Sequence, residues 1–124
     1  MKVSIEELSR VEIITNEAKV SELTSKLGDF GITGMTIFDA KGCGVQLGTK
    51  EYEAEKKTVP QLLSKQVVMV VLPTRKVDDF LDFVEKLLYT GHIGDGKIFV
   101  SPITNAIRVR TGEEGTDALV EGEL

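Results

Sequence analysis

Three stretches decide the fold: Gln66-Val-Val-Met-Val-Val-Leu-Pro73, Val77-Asp-Asp-Phe-Leu-Asp-Phe-Val-Glu-Lys-Leu-Leu88 and Lys97-Ile-Phe-Val-Ser101. The first is an unbroken apolar run, which predicts a buried strand over 67–72. Pro73 stops it, and Thr74 is placed to cap the next helix. In the second, Val77, Phe80, Leu81, Val84, Leu87 and Leu88 recur on one side of a 3.6-residue turn. A helix over 75–90 is predicted, with Asp78, Asp79 and Asp82 on its wet face. The third is rich in strand formers, and Pro102 and Asn105 are expected to break it.

Working outward, the same alternation appears upstream. Val11-Glu-Ile-Ile-Thr15 predicts a strand over 10–16. Asn16 is a good N-cap for a helix whose stripe is Val20, Leu23, Leu27 and Phe30, ending near Gly28 and Gly31. Ile32-Thr-Gly-Met-Thr-Ile-Phe38 predicts a second strand over 33–41. Residues 1–8 read as an extension, and Ala106-Ile-Arg-Val-Arg110 as a short extra C-terminal strand. From 112 to 124 the chain holds five acidic residues and no basic one, and a mobile tail is expected. The order is β-α-β-loop-β-α-β-β in one domain, residues 1–124. That is an α+β chain of the ferredoxin-like βαββαβ kind, both helices on one sheet face. Val68, Val70 and Ile98 are too apolar to leave the other face wet, so self-association is expected.

Composition removes several function classes. The 124 residues are 41% hydrophobic and 28% charged, with 15 Lys+Arg against 20 Asp+Glu and a net charge of −5. General attraction to nucleic acid or to anionic membrane is not expected. The single cysteine, Cys43, permits no intrachain disulfide and no cysteine-based zinc site. The apolar run 66–73 is far too short to span a bilayer, and Met1 to Leu8 lacks a signal-peptide pattern. A cytoplasmic location is expected.

Two glycine-rich segments are the candidate chemistry. Gly42-Cys-Gly-Val-Gln-Leu-Gly48 follows a strand, and Gly94-Asp-Gly-Lys97 links a helix to a strand. Glycines let backbone N–H groups approach phosphate oxygens, and Lys97 supplies a cation. Neither has the spacing of a Walker loop, and each alone reads more readily as a turn. Arg108 and Arg110 alternate, so on a strand their guanidiniums share a face. Either a di- or triphosphate or neighbouring acids then relieves their repulsion. Between the strands, Thr49 to Thr58 carries six charges in ten residues, a loop of functional length. Cys43 reads as an inert thiol, His92 as a solvated loop residue and Tyr52 as exposed.

Taken together, Ile32-Thr-Gly-Met-Thr36, Lys41-Gly-x-Gly-x-Gln-x-Gly48, Thr90-Gly-x-Ile-Gly-Asp-Gly-Lys-Ile-Phe-Val100 and Ile107-Arg-x-Arg-Thr-Gly-Glu113 resemble the PII nitrogen-regulatory signalling family, over about residues 10–118. The resemblance implies a homotrimeric, non-enzymatic sensor of ATP and ADP, with nucleotide sites in the clefts between subunits. It places Thr36, Gly42, Gly44 and Gln46 on one wall, Val71 against the adenine, and Gly94, Asp95, Gly96 and Lys97 at the phosphates. Arg108 and Arg110 reach in from the neighbouring subunit. By the same resemblance Mg²⁺ would be held by the ATP phosphates and Gln46, and 2-oxoglutarate beside Gln46, Lys65 and Gly94. The resemblance also implies that the loop 42–65, with Tyr52, Ala54 and Lys56, changes shape to bind a target, a metabolic enzyme or a membrane transporter such as one for polyamines or ammonium.

Departures from the family pattern are specific. Val45 replaces the usual arginine, and Cys43 the usual phenylalanine. Thr58, Lys56 and Ala54 stand where members carry the uridylylated tyrosine, the phosphorylated serine and the channel-plugging arginine. These count against uridylylation and against blocking of an ammonium channel. Two other classes compete. A small trimeric ATP-hydrolysing enzyme needs a supported general base, and the motifs fix none. An RNA-binding module of this topology needs aromatics on its central strands and a basic face. The central strands carry Val, Ile and Met instead.

Overall fold

The computed structural model describes residues 6–32, 34–44, 61–92 and 94–119. Among these residues four strands and two α-helices run in the order β1 (Leu8–Thr15), α1 (Glu17–Lys26), β2 (Thr36–Gly44), β3 (Gln61–Pro73), α2 (Val77–Leu88) and β4 (Lys97–Ile103). The sheet order is β2-β3-β1-β4 and every neighbouring pair is antiparallel. This is the ferredoxin-like arrangement.

Each helix forms where local signals and an apolar stripe agree. Asn16 Oδ1 accepts a hydrogen bond from the Lys19 N–H at 3.1 Å and so caps α1. Val20 and Leu23 face inward, the 3-10 turn Leu27–Phe30 follows, and Gly31 ends it at φ +73°. α2 opens on Asp78 and Asp79 and buries Val77, Phe80, Val84 and Leu88. Its wet face carries the Asp82–Lys86 ion pair, 3.0 Å. These stripes close over Val11 and Ile13 of β1 and Val68, Val70 and Leu72 of β3. Phe80 is fully buried and meets the edge of Phe30 at 5.6 Å between centroids. Truncating such a core phenylalanine to alanine costs about 3–5 kcal/mol.

Alternation then dictates the opposite face. Thr36 pairs with Met69, Met69 with Glu12, and Glu12 with Phe99, so these four form one row across it. Val68 and Val70, which the sequence suggests need outside cover, are covered by the helices. The large apolar groups left open on it include Phe38 at 47%, Leu63 at 53% and Phe99 at 53% exposure.

Several boundaries differ from expectation, each for a tertiary reason. β1 starts at Leu8, only 2% exposed, and the Glu7 carbonyl accepts from Thr74 N–H at 2.9 Å, so the pairing reaches into the expected extension. β2 lies at 36–44 and not 33–41. β3 has 13 residues and not six, because its first part pairs with β2, Gly44 opposite Gln61 and Gly42 opposite Leu63. Residues 42–44 and 61–65 of the expected 42–65 loop are therefore ladder. Thr74 caps nothing; its Oγ1 shares a 2.7 Å hydrogen bond with Ser9 Oγ. Pro102 does not break β4, since an edge strand tolerates a missing N–H. Ala106–Arg110 is not a strand: only Ile107 bridges, to Glu114. In the expected mobile tail, Gly115–Ala118 form a 3-10 turn with Gly115 buried.

Candidate functional site

The loop from Thr90 to Lys97 is built around Asp95. Its carboxylate accepts from the Thr90 N–H at 2.7 Å, the Gly91 N–H at 2.9 Å and the Thr90 hydroxyl. The Thr90 hydroxyl does most to hold the Asp95 carboxyl below its ordinary 3.8. The Thr90 and Gly91 amides and the nearby His92 add to this, and partial desolvation opposes it. The Asp95 carbonyl accepts from Thr15 Oγ1 at 3.0 Å, and Thr15 is fully buried in β1. Gly94 and Gly96 have φ of +103° and +119°. An added Cβ on Gly96 would lie 2.4 Å from the Ile14 carbonyl oxygen, so only glycine fits. Lys97 follows at the start of β4, exposed, its side chain in no hydrogen bond or ion pair with another described residue. Asp95 thus holds the loop with its own oxygens, while Lys97 is the group with charge to offer an anion.

The ribbon of β2 and the start of β3 brings a second cation to this loop. The Lys65 side chain lies across Gly42, its Cγ 3.1 Å and its Cε 3.4 Å from where a Gly42 Cβ would stand. Its Nζ is 4.0 Å from the corresponding point on Gly94. Three residues far apart in sequence, Gly42, Lys65 and Gly94, therefore meet. Thr36 and Val71 both line a cleft of about 550 Å³ whose wall includes Met35 and Met69. Thr116 to Leu119 of the C-terminal turn line the same cleft. Among the described residues no group of three His, Cys, Asp or Glu is placed to hold a metal. Gln46, Tyr52, Ala54 and Lys56 lie outside the described residues.

Arg108 and Arg110 are not the parallel pair that a strand would give. Arg108 donates to Glu113 Oε1 at 2.6 Å, and to the carbonyls of Asp117 and Ala118 at 3.2 Å each. Its side chain is 12% exposed. Arg110 sits in the exposed turn beyond it, with no hydrogen bond or ion pair to another described residue.

Comparison with known proteins decides the family. The family model "Nitrogen regulatory protein P-II" matches residues 8–113. The nitrogen regulatory protein P-II of Azospirillum brasilense is 37% identical over 112 residues, covering 90% of this chain and all of that one. Among solved structures, the GlnK–ATP complex of B. subtilis superposes with a TM-score of 0.77 at 35% identity, over 91% of this chain and 96% of that one. Arabidopsis thaliana PII bound to citrate gives 0.71 at 31% identity, over 91% and 92%.

The chain belongs to the P-II family.

P-II proteins are signal-transduction regulators in nitrogen metabolism, and the resemblance read from the four motifs is correct. The relatives are regulators and not enzymes. The sheet also lacks the RNA-module pattern, since the central strands present Glu12 and Met69 and the aromatics Phe38 and Phe99 stand on the edges. No helix among the described residues is long and apolar enough to cross a membrane. Two structural partners of the candidate residues are given no role by the sequence reading: Thr15, which anchors the Asp95 carbonyl, and Glu113, which holds Arg108. A buried threonine ending a strand looks like an ordinary β-former, and Glu113 closes a quoted motif without its spacing showing that it meets Arg108.

Proposed function

We propose that this P-II protein is an ATP- and ADP-sensing regulator that acts as a homotrimer in the cytoplasm, without turnover. It reports nucleotide state to a target transporter or metabolic enzyme through the segment 42–65. The observation that carries the reading is the likeness to the GlnK–ATP complex, across nearly all of both chains. Local chemistry supports it. Lys65, Lys97 and Arg110 are cations without an ion pair among the described residues, and glycines at 42, 94 and 96 let backbone come close to an anion. Thr36 and Val71 share one cleft, a polar and an apolar wall suited to a purine. The Asp95 carboxylate stays on Thr90 and Gly91, away from the phosphates. The open Phe38 and Phe99 on the helix-free sheet face support assembly into a trimer, with Arg108 and Arg110 serving the neighbour's site.

Mg²⁺, where present, would be held by the ATP phosphates and the Gln46 carbonyl oxygen, and would screen phosphate charge. A dicarboxylate such as 2-oxoglutarate would lie beside Lys65 and Gly94. With Val45 in place of a cation, it is expected to bind weakly or not at all.

The test is calorimetry with ATP and ADP on the full chain, joined to its mass by sedimentation. The expected result is saturable binding by about three chains per particle. Lys97→Ala or Arg110→Ala should weaken ATP binding by roughly 1.5–3 kcal/mol, the scale of a charge-assisted hydrogen bond. A monodisperse monomer that ignores both nucleotides overturns the proposal.

A further inference from the structure

The segment from Asn105 to Leu119 is more tightly fastened than a surface turn requires. Arg108 N–H donates to the Glu113 carbonyl at 2.9 Å, and Gly112 N–H to the Arg108 carbonyl at 2.7 Å. Thr111 Oγ1 donates to Glu113 Oε1 at 2.8 Å and accepts from the Glu113 N–H at 3.2 Å. Asn105 Nδ2 donates to Glu114 Oε1 at 2.8 Å, and Asn105 Oδ1 accepts from the Ala106 and Gly115 amides at 2.8 and 3.2 Å. One oxygen of Glu113 therefore gathers both the Arg108 guanidinium and the Thr111 hydroxyl. Between those two residues lie Val109, 96% exposed, and Arg110. The turn ends in Gly112 at φ +76°.

Charge explains why this matters. The Arg108 side chain is almost shut off from water. A nearly buried guanidinium without a counter-charge is costly, and its turn would open to rehydrate it. Glu113 prevents that: it neutralises the inner arginine and leaves the outer one uncompensated at the apex. We propose that Glu113 is a positioning residue for the arginine pair. It holds Arg108 and closes the turn that presents Arg110 to the phosphates of a nucleotide. The inference rests on the nucleotide reading above.

The opposite role is physically reasonable and has the opposite sign. If Glu113 merely competed with phosphate for Arg108, removing its charge would tighten ATP binding. The experiment is titration of Mg²⁺–ATP into the wild-type full chain, then into Glu113→Gln, Arg110→Gln and the double variant. Glu113→Gln should weaken binding about 3- to 10-fold, the loss of one charge-assisted contact felt through a turn. The double variant should lose less than the sum of the two single losses, because Glu113 acts in part through the presented arginine, and strict additivity overturns the inference. Thr111→Val, which leaves every charge in place, should weaken binding in the same direction by less. It carries the test if Glu113→Gln does not fold. Amide exchange at Gly112 should quicken in both. Unchanged or tighter binding in Glu113→Gln or Thr111→Val overturns the inference alone. A wild-type chain that binds no ATP overturns the nucleotide reading as well, and does so before any variant is made.

Discussion

At Gly96 the backbone turns to φ +119° and passes so close to β1 that a Cβ would stand 2.4 Å from the Ile14 carbonyl oxygen. At Gly42 the backbone is extended in β2, and a Cβ would meet only the Lys65 side chain, 3.1 Å from its Cγ, at close range. Both glycines belong to segments that read alike in the sequence. One is required by backbone against backbone, the other shelters a long flexible side chain. The backbone at Gly96 is therefore fixed against β1, and the β2–β3 ribbon at Gly42 can adjust. In the proposed nucleotide site these would be one wall that holds a ligand and one that answers to it.

The contrast can be broken most decisively at Gly96. Gly96→Ala combines a left-handed backbone with a clash that no rotamer relieves, and should destabilise the chain by about 3–5 kcal/mol. Urea unfolding measures it, and an unmoved midpoint would remove the idea of a fixed wall.

Next in size is Asp95. Asp95→Asn should leave the chain folded but speed amide exchange at Thr90 and Gly91, whose N–H groups its carboxylate accepts. The carboxyl is held below 3.8 in the folded chain, so its contribution is complete above that value and is lost as pH falls through the lowered one. Amide shifts of Thr90 and Gly91 in an acid titration should therefore move below pH 3.8, and movement nearer neutrality would contradict the hydrogen-bonded carboxylate.

At Gly42 a Cβ asks only that Lys65 swing aside. Gly42→Ala should cost less than about 1 kcal/mol, yet displace Lys65 from Gly94, a change visible in the Lys65 side-chain resonances. The smallest effect is expected at Gly28, where nothing lies within 4 Å and φ is not positive. Gly28→Ala should stabilise by about 0.4–1 kcal/mol, by narrowing the unfolded ensemble. A loss there would mean that unseen packing constrains the 3-10 turn.

The features legible in the sequence were mainly those that depend on near neighbours. The Val77–Leu88 stripe, the Asn16 cap and the strand at Lys97 were legible, and with them the topology. The length of β3 was not, because Leu62 to Lys65 become strand only when β2 lies beside them. The pattern in Ala106–Arg110 alternates like a strand but finds only the single bridge from Ile107 to Glu114. The site divides the same way. Gly94, Gly96 and Lys97 announce themselves within a few residues. The meeting of Lys65 with Gly42 and Gly94 depends on register between distant segments. Glu113 stands five residues from Arg108, a spacing with no regular periodicity to betray the contact.

Pro102 has a consequence for how copies of this chain meet. β4 is an outer strand of the sheet, paired on one side with β1, and its other side is a margin that invites another strand to add. A proline has no N–H to give and a ring that crowds a neighbouring backbone, so it sits poorly under an incoming strand one residue from the end of β4. Open-ended stacking of sheets, the route to fibres, is discouraged at that margin. In the proposed trimer, association would run instead through side chains on the sheet face, and a closed ring of subunits leaves no growing end.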